Sequence, residues 1–168
     1  NSGYVSLDHD HLSGLNMLVI TSEREFRISE HEAANLARFL RSGGFAIIDF
    51  ATGGRDAVRT VSGLIRVLSS LPGGKNQVGK IGPDHPLWQT FFDLSAAGFS
   101  KRESETTASI PLYGLWLDGR LAAVCFCGAR PFFDAASLEK EQYLRIGVNA
   151  LIYGLTRPLD AALQNQPR

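Results

Sequence analysis

Polar side chains that could bind a ligand stand at the ends of two apolar segments. Thr21, Ser22 and Glu23 end or follow the apolar run that begins at Met17, and Asp49 lies near the end of the run at residues 45–50. Ligands of open α/β sheets bind beyond the carboxyl ends of the strands, near a change in strand order. If the two runs are neighbouring parallel strands, these four side chains meet at one edge. The sequence therefore predicts a ligand site there.

The segment Asp84-His85-Pro86 has the form of a helix start, with Asp84 as the cap and the proline in the first turn. A histidine beside a capping carboxylate can act as a general base or contact a ligand, so we count Asp84 and His85 among the candidate ligand-binding residues. The commoner alternative is that His85 caps or packs locally. The polar, aperiodic segment 95–109 is expected to be a loop, and we place it with His85 at the border of the same cleft.

Arg145 and Asn149 are four residues apart in a predicted helix, so they share one of its faces. If this face points into the domain, the pair holds a loop by hydrogen bonds. If it borders a cleft, the pair binds an anionic ligand. We count both residues among the candidate ligand-binding residues.

Other motifs do not support catalysis, a metal or a cofactor. Cys125-Phe126-Cys127-Gly128 lacks the small residues that a nucleophile elbow requires on both sides, so we expect buried structural cysteines. The run Asp8-His9-Asp10-His11 has metal-ligand chemistry, but no matching further ligand can be named, which favours a solvated turn. The glycine pairs at residues 43–44, 53–54 and 73–74 match neither of the two common phosphate-binding patterns, G-x-G-x-x-G and the P-loop. The sequence predicts no catalytic residue, no metal and no cofactor.

The elements that must position these groups follow from apolar spacing. The runs at residues 17–21 and 45–50 are typical of strands covered on both faces, and the helix between them starts with a Ser29–Glu32 capping box. This βαβ order predicts a three-layer, doubly wound α/β fold with a mostly parallel sheet. Asp118-Gly119 predicts a β-hairpin, which we expect as an extension of the sheet.

The last helix is predicted over residues 138–156, with Pro158 marking its end. Its apolar residues recur at helical spacing and are expected to face the core. They are Leu144, Val148, Leu151, Ile152 and Leu155.

Composition fits one domain over residues 1–168, with its core at about 4–156. A hydrophobic fraction of 44% can bury a core without disulfides. Lys plus Arg and Asp plus Glu both number 17, which disfavours nucleic acid as a partner. No run approaches the roughly 20 apolar residues of a transmembrane helix. The start at Asn1 suggests a C-terminal fragment of a longer chain.

Four motifs resemble the bacterial domain of unknown function 4159 family, in the order in which they occur along the chain. They are residues 26–49, the segment Pro83-Asp84-His85-Pro86-Leu87-Trp88, the segment Asp118-Gly119-Arg120-Leu121, and Arg145-x-Gly147-x-Asn149 with Tyr153 and Thr156. The resemblance implies a class I glutamine amidotransferase-like, flavodoxin-like fold and a bacterial envelope or secreted location. The amidotransferase nucleophile elbow is missing, and none of the four histidines (9, 11, 31 and 85) lies late in the chain. We therefore do not expect glutaminase activity.

Three functions stay open at this point. The first is a non-catalytic module of a bacterial envelope protein that binds a small molecule or assembles with a protein partner. The second is a hydrolase or transferase that uses Glu23, Asp49 and His85 at the strand ends. The third is a purely structural part of a larger protein. The sequence leaves the oligomeric state open.

Overall fold

A computed structural model of the chain describes residues 4–9, 12, 14–22, 27–50, 56–94, 112–127 and 138–164. The elements follow one another as β1 (Met17–Ser22), α1 (Glu30–Arg41), β2 (Phe45–Phe50), α2 (Asp56–Ser69), β3 (Asn76–Lys80), a 3-10 helix (Pro86–Gln89), β4 (Leu112–Leu117), β5 (Arg120–Cys127) and α3 (Leu138–Gln164).

The five strands form one mixed sheet in the order β1-β2-β5-β4-β3. β1 is parallel to β2, and β2 is parallel to β5, whereas β4 runs antiparallel to both β5 and β3. The predicted parallel pairing of β1 with β2 is confirmed, with Met17 opposite Phe45 and Thr21 opposite Asp49. The predicted mostly parallel, three-layer doubly wound fold is wrong, and the glutamine amidotransferase-like architecture is not confirmed.

The hairpin accounts for this error. β4 and β5 are joined at Asp118-Gly119 as predicted, and both residues have the positive φ that such a turn requires, 52° and 84°. However, the hairpin is not an extension, because β5 lies in the interior of the sheet beside β2. Residues 121–126 are all buried, which a central strand permits and an edge strand does not. The two-residue turn then forces β4 to run antiparallel.

The start of α1 confirms the predicted capping box. The Ser29 hydroxyl accepts a hydrogen bond from the Glu32 amide at 3.2 Å, and the Glu32 carboxylate accepts one from the Ser29 amide at 2.8 Å. After the helix, Gly43 takes a positive φ of 107°, and its neighbour Gly44 leads directly into β2. Local sequence therefore fixes both ends of the α1 connection between β1 and β2.

Two apolar clusters cover the two faces of the sheet. One contains α1 and α2 residues such as Leu36, Leu40 and Leu64 against Ile48 of β2. The other contains Ile146 and Ala150 of α3, with Leu87 and Trp88 of the 3-10 helix, against Ile47 and Phe126. The chain therefore leaves β1 and β2 toward one face and leaves β5 toward the other.

α3 presents the opposite face to the sheet from the one predicted. Leu144, Leu151 and Leu155 are exposed, at 45%, 41% and 47%. Val148 and Ile152 are half-buried. The side that meets the sheet carries Ile146, Asn149, Ala150 and Gly154 instead. A side chain at Gly154 would overlap the Phe45 ring, so the helix approaches the sheet too closely for leucines to fit between them. α3 also runs through Pro158 to Gln164, so the predicted end is wrong.

The close contact of Gly154 with Phe45 gives a stability prediction. Gly154→Ala should lower the free energy of unfolding by about 1–3 kcal/mol, because the buried Phe45 ring has no room to move. Gly63→Ala, in α2, is the matched control, because nothing lies within 4 Å of the added methyl group there. That control should raise stability by about 0.5–1 kcal/mol. Urea unfolding of both variants measures the difference, and equal effects would contradict the packing described for α3.

Candidate functional site

Three of the four predicted strand-end residues lie at one edge of the sheet. Thr21 of β1 is opposite Asp49 of β2, and Asp49 is opposite Phe126 of β5. Ser22 is opposite Phe50 at the end of the same pair of strands. Glu23 lies outside the described residues. The parallel register therefore forms a row of Thr21, Asp49 and Phe126 across the carboxyl ends of β1, β2 and β5.

Asp49 is the unusual member of this row. Its side chain is only 5% exposed. Alternation along β2 places it on the α3 face of the sheet, with Phe45 and Ile47, and not on the side of Ile48. Within the part of the chain that the structure describes, Oδ1 of Asp49 is the one buried side-chain oxygen or nitrogen without a hydrogen-bond partner. A buried acceptor without a donor is costly, so such a group in a folded protein requires an explanation.

Burial also changes the acid–base behaviour of this carboxyl group. Desolvation of the ionised form raises the pKa of Asp49 from 3.8 to about 7. Near neutral pH, the group therefore exists in both forms. Ionised, it is purely an acceptor, and protonated, it also offers one donor. Carboxyl groups with such raised pKa values are enriched at functional sites.

The strands on the two sides of Asp49 differ in exposure. On β5, Phe126 is fully buried. On β1, Thr21 is exposed, and Val19, which is on the same face two residues earlier, is 58% exposed. The expectation that this strand is covered on both faces is therefore wrong at Val19. As β1 is the edge strand, this face of the sheet is less covered over β1 than over β2 and β5.

The connections around this edge favour a crevice. The helices that follow β1 and β2 pack on one face of the sheet, and the helix that follows β5 packs on the other. Adjacent strands whose connections diverge in this way leave a gap between their carboxyl ends, where ligands of α/β sheets bind. Asp49, near the end of β2, is next to the point at which the connections of β2 and β5 diverge.

His85 belongs to a different group of side chains. Its ring centroid is 5.5 Å from that of Tyr153 and 6.4 Å from that of Trp116. Trp116 is in β4, and β5 separates β4 from β2, which corresponds to about 10 Å between the strands. The structure therefore groups His85 with two aromatic rings and not with Asp49.

The capping assignment at this segment is wrong by one residue. His85 is the N-cap of the 3-10 helix, and its Nδ1 accepts a hydrogen bond from the Leu87 amide at 3.2 Å. Because Nδ1 acts as the acceptor, the neutral ring carries its proton on Nε2. Asp84, the predicted cap, is exposed one residue earlier. The segment 95–109, proposed as the border of the cleft, lies outside the described residues.

Of the two roles considered for Asn149, holding a loop and binding an anion, its hydrogen bonds support the first. Its side chain is fully buried, and Oδ1 accepts hydrogen bonds from the amides of Phe91 and Phe92 at 3.2 and 2.8 Å. Its Nδ2 donates to the Phe92 carbonyl at 2.9 Å. Arg145 is exposed, donates to Glu141 at 2.6 Å and lies 5.3 Å from the Phe92 ring centroid. Asn149 therefore fixes the chain after the 3-10 helix onto α3.

The remaining candidate motifs are structural or exposed. Cys125 is fully buried in β5, as predicted for a structural cysteine. Asp8 and His9 are exposed, and Asp8 Oδ1 lies 3.5 Å from Nδ1 of the exposed His31. Across the described ranges, no three His, Cys, Asp or Glu side chains are grouped closely enough to hold a metal ion.

Sequence reasoning selected Asp49 and Thr21 but missed the exposure of Val19. Nothing in the run Met-Leu-Val-Ile-Thr marks its third residue as exposed. The only available signal was indirect: β1 is the first strand, and a first strand is often at an edge. The sequence carried no signal that Asn149 forms hydrogen bonds with the backbone of Phe91 and Phe92.

The fold and the site define a small α/β domain with a buried carboxyl group at the strand ends. Residues 1–155 match the family described as Domain of unknown function (DUF4159), and the chain belongs to this family. No curated protein matches the chain. Of the helices that the structure describes, none combines the length and apolar character needed to cross a membrane.

The raised pKa of Asp49 predicts a pH dependence of stability. The folded-state pKa is above the unfolded value of 3.8, so the contribution is fully present below about pH 4 and is lost as pH rises toward 7. A rise from 3.8 to about 7 corresponds to about 4 kcal/mol at most. Wild-type protein should therefore lose up to about this amount, relative to Asp49→Asn, between pH 4 and pH 8. Urea unfolding at each pH measures this difference.

The control for this pH series is Asp84→Asn, which removes one exposed carboxylate. It should keep the wild-type dependence of stability on pH. Parallel profiles for wild type and Asp49→Asn would show that Asp49 does not have the raised pKa described here.

The hydrogen bonds of Asn149 give a second prediction for this region. Asn149→Ala removes the partners of three backbone groups in Phe91 and Phe92, and should lower the free energy of unfolding by about 2–4 kcal/mol. Arg145→Ala, on the exposed side of the same helix, should cost less than about 1 kcal/mol. Chemical denaturation compares the two, and similar losses would refute the loop-holding role.

Proposed function

We propose that this domain is a ligand-binding module that holds a small polar ligand at the carboxyl ends of β1, β2 and β5, with Asp49 as the anchor. The observation that carries the proposal is the buried Oδ1 of Asp49, which has no hydrogen-bond partner among the described residues. A ligand that donates a hydrogen bond to the Asp49 carboxyl group would offset part of this burial cost, which is about 1–3 kcal/mol.

The surroundings of Asp49 support binding at this position. Thr21 adds an exposed hydroxyl on the neighbouring strand, in register with the carboxyl group. Phe126 closes the opposite side with a buried aromatic ring. One buried acceptor, one accessible hydroxyl and apolar walls match the composition of small-molecule sites, which combine a few polar groups with an apolar lining.

Binding is favoured over hydrolysis or group transfer by the place of His85. The catalytic alternative needs a base within hydrogen-bond reach of Asp49, directly or through one water. His85 is instead packed with Tyr153 and Trp116, and its Nδ1 is engaged by the Leu87 amide. Asp49 on its own offers one titrating group, which suffices to hold a ligand.

A role in assembly is the second candidate, and a separate feature favours it. Leu144, Leu151 and Leu155 form an exposed apolar stripe on α3. Such stripes serve in contacts between proteins. The two functions respond to different substitutions, because Leu151→Asp would affect assembly and leave the strand-end site unchanged. The proposed location in the bacterial envelope rests only on the family resemblance described under the sequence analysis.

A thermal-shift screen tests the ligand-binding proposal. Small polar compounds with hydrogen-bond donors, including amines, sugars, amino acids and nucleosides, are added to wild type, Asp49→Asn and the exposed-site control Asp84→Asn. A true ligand at one hundred times its Kd stabilises by about 2.7 kcal/mol, which is several degrees in Tm for a domain of this size. The shift should be present in wild type and control and absent in Asp49→Asn. Shifts that persist in Asp49→Asn, or no shift with any compound, would overturn the proposal.

A further inference from the structure

We propose that this domain forms a two-fold symmetric dimer, in which β1 of one copy pairs antiparallel with β1 of a second copy and the exposed leucines of α3 line the same junction. This inference rests on the assembly role named above as the second candidate function, and it specifies the partner and the geometry. It does not depend on ligand binding at Asp49. It follows from the outer edge of β1, from its register and from the position of the leucines.

The outer edge of β1 presents backbone groups that can pair with a further strand. The Phe45 amide of β2 donates to the Asn16 carbonyl at 3.1 Å, so the backbone groups of Asn16 face β2. Successive residues of a strand turn these groups to opposite sides, and those of Met17, Val19 and Thr21 therefore face away from the sheet. In the described part of the chain, no hydrogen bond joins these outward groups to another residue. The strand Met-Leu-Val-Ile-Thr-Ser contains no charge and no proline, and its ladder with β2 has no bulge, so nothing protects this edge from pairing.

The opposite edge of the sheet is protected, which favours pairing of β1 with itself. β3 ends in Lys80, a residue of the type that opposes edge pairing. The Asn76 side chain at its start donates to the Leu71 carbonyl at 2.6 Å and ties β3 to the segment after α2. Pairing of β1 with β3 of another copy would also build an open chain of copies. Pairing of β1 with β1 closes after two copies.

The register of β1 is complementary to itself. A two-fold axis through Val19, perpendicular to the sheet, places Val19 opposite Val19 of the second copy and Met17 opposite Thr21 of the second copy. These are the three residues whose backbone groups face outward, so each opposed pair exchanges two hydrogen bonds, about six in all. The chain has no net charge at pH 7, so long-range repulsion does not oppose the approach of two copies.

The exposed leucines of α3 are on the side of the helix that is nearer to β1. Tyr153 marks the other side, because its ring packs on His85, and His85 packs on Trp116 of β4. The strand order β1-β2-β5-β4 places β1 on the side away from β4. At 3.6 residues per turn, three exposed side chains lie about half a turn around the helix from Tyr153. They are Leu144, Leu151 and Leu155.

The same two-fold axis places both copies of α3 on one face of a continuous sheet, one on each side of the junction. α3 packs on β2, with Gly154 against Phe45, and the β2 strands of the two copies are three strand spacings, or about 14 Å, apart. Helices are about 10–12 Å in diameter with their side chains, so the facing leucines close most of the gap. Val19, which is 58% exposed in the single chain, lies on this face below them, because its neighbour Ile47 belongs to the cluster under α3.

The area of this junction sets the expected affinity. A strand about 20 Å long, together with the helical layer above it, buries on the order of 1,000 Å² in total. This value is at the lower limit for a specific interface. We therefore expect a reversible dimer with a Kd in the micromolar range.

Sedimentation velocity with charge variants at the two-fold axis tests the inference. Wild type should change from monomer to dimer as its concentration rises from about 1 to about 500 µM. Val19→Lys and Val19→Glu should each remain monomeric, because the axis places two like charges opposite each other. An equimolar mixture of the two variants should form a heterodimer, because opposite charges then meet at the same place. Both variants should fold, since Val19 is exposed, and circular dichroism with thermal unfolding verifies this.

Two further variants serve as the control and as a test of the helix. Gln77→Lys, at an exposed position of β3, introduces the same charge at the opposite edge of the sheet and should dimerise like wild type. Leu151→Asp places a charge on the apolar wall of the junction and should raise the Kd of the dimer at least about tenfold.

The outcomes decide between this dimer and other arrangements. The proposal is wrong if wild type stays monomeric over the whole series, or if it associates and the two Val19 variants still do so. It is also wrong if the mixture of these variants fails to associate, because the antiparallel register centred on Val19 requires that rescue. Growth beyond two copies would contradict it too, since a closed pair uses both β1 edges.

Failure of the dimer is distinguishable from failure of the proposed functions. Leu151→Asp is remote from Asp49 and should keep any thermal shift that depends on Asp49, so ligand binding is judged independently of assembly. If wild type does not dimerise, the assembly role stands only when another protein binds wild type and not Leu151→Asp.

Discussion

The burial of β5 is the constraint on which the rest of the structure depends. Its residues 121–126 are all buried, so the strand needs a partner on each side and cover on both faces. β2 and β4 provide the partners, and the two apolar clusters provide the cover. The tight turn at Asp118 is held from outside, because Arg41 at the end of α1 donates to the Asp118 carboxylate at 2.8 Å. This arrangement makes β2 an interior strand.

The interior position of β2 gives Asp49 its character. An aspartate at the end of an edge strand would be hydrated and would have an ordinary pKa. Here β1 and β5 flank it and α3 covers its face of the sheet, so the cost of desolvation falls on a single carboxyl group. The same contacts that stabilise the core therefore create a group that gains from a donor.

Features encoded by neighbouring residues could be predicted from the sequence, and features set by distant contacts could not. Ser29 and Glu32 predict the start of α1, and Asp118-Gly119 predicts the hairpin, because a capping box and a tight turn each depend on a few adjacent residues. Thr21 and Asp49 could be placed together because both runs are apolar and joined by one helix. The position of β5 in the sheet could not be predicted, because a buried strand has the same apolar pattern whichever way its neighbours run. The prediction that the leucines of α3 face the core was wrong for a related reason. Helical spacing identifies an apolar stripe, but the fit of Gly154 against Phe45 decides which side of the helix faces the sheet.

The order of the strands also determines when the sheet can form during synthesis. β1 and β2 pair as soon as both exist, but β3 contacts neither of them and is joined to the sheet only through β4. The strand that unites the two parts, β5, is the last of the strands that the structure describes. Until residue 127 has left the ribosome, β2 has one bare edge, and the pair that β3 forms with β4 is not yet joined to β1 and β2. A nascent chain of this domain thus exposes apolar strands for most of its translation, a stage at which chaperones protect polypeptides from aggregation.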